Sequence, residues 1–209
     1  MADLLSYALT DLASVKESLG IDSGDTSKDN LIKRKINQAT LYIESYCSLS
    51  RDHHFKSTTY TDEEYDGTGN STIVLRMRPV TALTEFQRRD SVTSDGAFEN
   101  VESELYFTDL GAGVIELVTQ ASTGWNRYNV SYTAGYSKIP ADLAEACVTL
   151  ACYYVENSAS GTAVKKKQEG SRSIEYFQAS ANSSDSLIDQ LGLDDLLSRY
   201  KQYNLSDTL

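Results

Sequence analysis

Tyr128-Asn129-Val130-Ser131-Tyr132-Thr133-Ala134-Gly135-Tyr136-Ser137-Lys138-Ile139-Pro140-Ala141-Asp142-Leu143 decides how this chain reads. Tyr128, Val130 and Tyr132 alternate with polar residues, the period of a strand with one buried face. Gly135 ends the alternation. From Pro140 the apolar residues return at helical steps, with Leu143, Cys147, Leu150 and Tyr154 on one line. Proline suits a first helical turn because its missing N–H would be unpaired there, and Asp142 and Glu145 lie near the positive end of the dipole. A strand thus runs through one junction into a helix that continues to about residue 157.

Upstream of this junction, period-two patterning extends back to about Phe55. It predicts strands at Thr58–Thr61, Thr72–Arg76, Thr81–Gln87, Leu105–Thr108, Val114–Val118 and Arg127–Thr133. Asp66-Gly67, Gly69-Asn70, Ser94-Asp95-Gly96 and Gly111-Ala112-Gly113 supply turn chemistry between them. Pro79 marks an edge or a break.

Helices flank this β-rich middle. The first is expected from Thr10, as its cap, to Leu19, stopped by Gly20. The second follows a cap at Ser27 and places Ile32, Ile36, Ala39, Ile43 and Tyr46–Cys47 on one face, with Lys33, Arg34 and Lys35 mainly opposite. Residues 158–173 are polar and rich in Gly, Ser and Lys and read as a loop. Ile174–Phe177 reads as a short strand or hook. A fourth helix is expected over 186–203, weakened or kinked at Gly192 by about 1 kcal/mol relative to alanine. The expected class is α+β: a bundle of about four helices with a β-rich insertion between the second and third. Its parts are residues 1–54, 55–137 and 138–209, in one compact unit.

The chain has 209 residues, enough to build a core without staples. Its formal charge of −11 opposes tight binding of nucleic acid, which needs clustered Lys and Arg. Fourteen tyrosines suit semi-exposed protein contacts as well as a strand surface. Cys47, Cys147 and Cys152 follow no metal-ligand spacing and read as buried thiols of a protein made in a reducing cytoplasm. No apolar stretch approaches the roughly 20 residues that span a bilayer, and the start of the chain does not resemble a signal peptide.

The residue types that carry chemistry do not assemble into a catalytic pattern. Asp62, Glu64, Asp66 and Gly67 match an EF-hand loop at positions 1, 3, 5 and 6, but Ile73 stands where the bidentate Glu is required. His53 and His54 are adjacent on an extended segment and point to opposite faces. Gly-x-Ser-x-Gly is absent, and Gly111-Ala112-Gly113 opens no helix to cradle phosphate. No catalytic residue, metal or cofactor is predicted. Lys165-Lys166-Lys167 is a concentrated positive spot, a solvated loop or a contact for DNA or an acidic partner.

Tyr42-Ile43-Glu44-Ser45-Tyr46-Cys47, then Tyr65-Asp66-Gly67-Thr68-Gly69, then Val74-Leu75-Arg76-Met77-Arg78-Pro79-Val80, precede Trp125 and the Tyr132-Thr133-Ala134-Gly135-Tyr136…Pro140-Ala141-Asp142-Leu143 junction. In this order and spacing they resemble the tailed-phage head–tail connector family, also called head-completion or adaptor proteins, over about residues 5–157. The resemblance implies a structural virion protein and no enzyme. It implies a dodecameric ring in the neck, docked on the portal protein and followed by a tail, stopper or terminator protein, with genomic DNA passing the lumen without specific binding. Assembly would take place in the bacterial cytoplasm, with no membrane partner. A ring of acidic subunits would repel DNA, which suits a conduit. The C-terminal segment would reach the portal, with Tyr200, Tyr203, Leu205 and Leu209 as anchors. The competing reading is an outward-facing β-rich module of a tail that binds a glycan or a protein, its tyrosines stacking on sugar.

Overall fold

α1 (Leu12–Ser18) starts where the Asp11 carboxylate accepts from the Ser14 amide at 2.8 Å, a cap one residue beyond the expected Thr10. In this computed structural model the described residues are 3–89, 96–120, 122–158, 166–169, 172–175 and 186–202. They combine helices with antiparallel sheets, in the order α1, α2, seven strands, α3, two strands, α4 and α5. The chain divides into two units, one from Met1–Cys47 and Ile139–Lys201, the other from Ser48–Lys138 and Gln202–Leu209.

In the first unit, α2 (Asp29–Tyr46) turns Ile32, Ile36, Ala39 and Ile43 inward, as its spacing predicts. It begins after Lys28 with no side-chain cap, not at Ser27. α3 (Ala141–Ser158) buries Leu143, Cys147, Leu150 and Ala151, and packs along α2. Each large apolar side chain removed from water this way stabilises the fold by about 1.5–3 kcal/mol. Lys16 is, with Glu44, a buried charged residue of this unit. Its Nζ lies 2.6 Å from Asp29 and donates to the Ser23 and Asp25 carbonyls, so one ammonium closes the 22–25 linker.

The expected fourth helix is two short ones, α4 (Leu187–Gln190) and α5 (Asp194–Ser198), making five α-helices among the described residues. Gly192 takes φ 70, in the left-handed region, and its amide closes the turn on the Asp189 carbonyl. A left-handed residue cannot continue a right-handed helix, so glycine breaks the helix here rather than kinking it. Ser186 and Asp189 form a reciprocal capping box at the start of α4. β8 (Lys166–Glu169) and β9 (Arg172–Glu175) pair as a hairpin where a loop is expected, and β9 includes Ile174 and Glu175 of the anticipated strand or hook. Tyr176 and Phe177 lie outside the described residues.

The second unit holds two sheets. β1 (Thr58–Thr68), β7 (Thr123–Ala134), β3 (Val80–Arg88) and β4 (Glu99–Asn100) form one in that order. β2 (Thr72–Val74), β6 (Val114–Leu117) and β5 (Tyr106–Asp109) form the other. β1 runs straight through Asp66-Gly67, where a turn is expected, because Gly67 packs against β7: a Cβ there would stand 1.7 Å from the Ser122 carbonyl oxygen. Tyr128, Val130 and Tyr132 of β7 are buried, as their alternation predicts, and Tyr128 stacks on Phe86. Gly135 has φ 97 and lies under the Phe55 carbonyl, while Tyr136 donates to that oxygen at 2.7 Å. The strand-to-helix junction therefore needs glycine at that position.

Candidate functional site

Tyr200 is the one predicted portal anchor among the described residues; Tyr203, Leu205 and Leu209 lie outside them, as does Lys165. The Tyr200 hydroxyl donates to Asp142 at 2.6 Å, at the first turn of α3. Beside it, Lys201 places its ammonium 4.4 Å above the Tyr46 ring and 4.0 Å from Asp194, and Tyr46 donates to the same Asp194 carboxylate. The Cys47 thiol donates to the Leu197 carbonyl at 3.6 Å. In the second unit, Gln202 donates to the Arg78 carbonyl at 3.2 Å and accepts from Arg78 Nε at 3.1 Å. The chain is thus held by side chains at three consecutive positions, 200 to 202. Lys166 and Lys167 fall in β8.

A polar cluster that the sequence did not reveal sits behind β1. The Glu63 carboxylate accepts from Tyr65 at 2.7 Å and from Tyr132 at 2.8 Å, and His53 Nε2 lies 2.7 Å from it. His53 is buried, stacks on Tyr60, and shares its other nitrogen with Ser50. Burial alone would raise the Glu63 carboxyl, but the bonds from His53, Tyr65 and Tyr132 outweigh it and hold the group below its ordinary value. Burial pushes both phenols upward, and the neighbouring carboxylate adds to it, so they stay protonated donors. Every strong group here is engaged by another. The arrangement orients β1 on β7 and presents no free nucleophile or base. Period-two alternation hides it, since Glu63 stands inside the acidic run Asp62-Glu63-Glu64 and reads as solvated.

The acidic run is not a cation loop. Asp66 spends its carboxylate on the Asn126 amide at 2.8 Å, and Glu64 accepts from the Asn126 side chain and approaches Arg89 at 4.0 Å. Among the described residues no group of three His, Cys, Asp or Glu is placed to hold a metal ion. Among those same residues no helix is long and apolar enough to cross a membrane.

Five large apolar side chains stand exposed among the described residues. Trp125 is 84% exposed, Phe107 68%, Val118 54% and Leu41 51%. Phe107 pairs with Glu116, and just beyond the paired segment the Leu105 carbonyl accepts from the Val118 amide at 2.9 Å, so Leu105, Phe107 and Val118 lie close together at one end of the smaller sheet. Exposed aromatic and branched side chains of this kind suit binding another protein.

Comparison with solved structures finds the same fold in particle necks. The neck of an empty GTA particle computed with C6 symmetry matches with a TM-score of 0.54 at 16% identity, covering 98% of this chain and 97% of that one. The neck of a native GTA particle computed with C12 symmetry matches with a TM-score of 0.53 at 16% identity over the same shares. The virion of a native gene transfer agent particle matches with a TM-score of 0.54 at 16% identity, covering 97% and 94%. None of the curated proteins compared matches the sequence. The profile of the family described as head completion protein matches residues 8–177, which include α1, α2, α3 and the whole β-rich middle. The chain belongs to the head completion protein family.

Proposed function

We propose that copies of this chain form an adaptor ring of about a dozen subunits in the virion neck, seated on the portal protein and lining part of the DNA conduit. Family membership already makes the chain a structural virion protein, a head–tail connector. Its next partner in the proposed assembly is a tail, stopper or terminator protein. The necks that share its fold were computed with C12 and C6 symmetry, which supports closed cyclic assembly here. A helical core with a β-rich insertion is the frame proposed for the subunit, and its formal charge of −11 suits a lumen through which DNA slides without sticking.

The observation that carries the docking reading is the anchoring of Tyr200, Lys201 and Gln202. A terminal segment that starts from a held base loses less freedom on binding than one hung from a loose loop. Residues 203–209, with Tyr203, Leu205 and Leu209, are the proposed portal contact. The chain cut after Gln202 keeps all three anchors. Native mass spectrometry of full-length chain with portal protein should show about a dozen copies per portal ring. The shortened chain should keep its circular dichroism and lose the portal. Retained attachment overturns the role of the tail, and absence of any ring with full-length chain overturns the adaptor reading.

A further inference from the structure

Trp125 stands on the most irregular piece of the larger sheet. Tyr65 pairs with Tyr128 and Gly67 with Gly124, so Asp66 alone faces Trp125, Asn126 and Arg127. Such a bulge re-aims side chains. This one is clasped at the two residues that follow Trp125: Asn126, at φ 46, donates its amide to Asp66, and its carbonyl accepts from Arg89 at 2.6 Å. The Arg127 carbonyl accepts from the Arg89 amide at 3.0 Å. The fold therefore holds a large aromatic side chain out in water on a fixed base. Among the described residues its indole makes no hydrogen bond or ring contact. Asp62, Glu64 and Asp66 fall at alternate positions of β1, which makes the strand beside it acidic.

The outward line of α2 has the opposite character. Arg34, Gln38 and Leu41 are exposed at helical steps. Lys33 and Lys35 flank them, and the Lys35 ammonium lies 5.7 Å above the Tyr154 ring. Among the described residues none of these three cations forms an ion pair. In a chain of charge −11, three cations without a carboxylate partner among the described residues, beside an exposed leucine, make a face suited to an acidic, aromatic partner.

We propose that these two faces meet between copies: Trp125 with its acidic strand docks on the Arg34–Leu41 face of the next subunit. The inference rests on the ring reading and deepens it. A head-to-tail ring needs two different, complementary faces on each chain, and here one surface supplies the aromatic anchor and negative charge, the other an apolar seat and positive charge.

Trp125 is the single tryptophan of the chain, so its emission reports this contact alone. Emission and native mass spectra are followed together as the protein is concentrated, with and without portal protein. Emission moves to shorter wavelength as rings appear. Trp125→Ala, and the double variant Lys33→Glu with Arg34→Glu, each raise the concentration needed for rings by at least about tenfold, since a central anchor carries much of an interface. In a Cys152→Ser background that keeps Trp125 and Leu41, Thr123→Cys chains mixed with Gln38→Cys chains, both at exposed positions beside the two faces, cross-link through a short bis-maleimide, and neither cross-links alone. Rings with unmoved emission, unaffected variants or no mixed cross-link overturn the contact and leave the ring reading standing. A shift that comes with portal protein but without the mixed cross-link assigns Trp125 to the portal and overturns it too. No ring under any condition overturns both.

Discussion

The Tyr200 hydroxyl and the Asp142 carboxylate are joined by a 2.6 Å hydrogen bond, which ties the C-terminal segment to the first turn of α3. That bond is the leading reason the Asp142 carboxyl lies below its ordinary value; burial opposes it, and the Leu143 amide adds to it. A depressed carboxyl stabilises the fold above its unfolded value, and the contribution is lost as pH falls through the folded value. Tyr200→Phe is expected to move the Asp142 titration upward, followed by carboxyl NMR. The accompanying loss of stability should stay under about 1 kcal/mol, because water screens this pair.

Glu63 should behave differently. It is enclosed by Tyr65, Tyr132 and His53, and its carboxyl is held low despite burial. Its contribution is present above the ordinary glutamate range and is lost on acidification below it. Glu63→Gln removes the charge and weakens two phenol donors, at a cost of about 1–3 kcal/mol at neutral pH. Urea unfolding from pH 7 down to pH 3 checks it: the wild-type advantage over the variant should shrink as acid is added.

Gly135→Ala is expected to be among the most damaging single-methyl changes. The added Cβ would sit 2.7 Å from the Phe55 carbonyl oxygen and 3.0 Å from the Lys56 backbone, at φ 97. Strain and clash together should cost more than about 2 kcal/mol, measured by urea denaturation. By contrast, Gly24→Ala, whose close neighbour is the tip of the Asp22 side chain, should be tolerated with little loss.

The thiols should separate by burial. Cys47 and Cys147 are buried and their thiols are pushed up to about 12, so almost no thiolate is present at pH 8. Cys152 is half-buried, and burial raises it less decisively. Iodoacetamide on the folded protein is expected to label Cys152 first, and all three thiols once urea is added. Mass spectrometry of the peptides reads the order.

Periodicity carried most of the element order, because a stripe of apolar residues can be buried only one way. Ile32, Ile36, Ala39 and Ile43 point inward on α2, and Tyr128, Val130 and Tyr132 do so on β7. Punctuation residues were less legible. Gly192 ends a helix by its positive φ, whereas Gly67 sits inside a strand because β7 approaches it. The same residue type serves two purposes, and the neighbouring backbone chooses between them. The fine position of caps also escaped: Thr10 and Asp11 are both competent, and geometry selected Asp11.

The order of motifs from Tyr42 to Leu143 was enough to establish the family resemblance, which the profile match over residues 8–177 bears out. The chain's own pattern likewise determined the alternation of helices and strands, since periodicity is local. Only the tertiary structure decided what the acidic tract does. Glu63 turns inward to His53 and two phenols, while Asp66 and Glu64 clasp Asn126 and hold Trp125 outward. Of those partners, Asn126 and Tyr132 lie 60 to 69 residues away along the chain, joined through the pairing of β1 with β7. Such pairing depends on strand register and on an irregular bulge, and neither follows from the local spacing of residues.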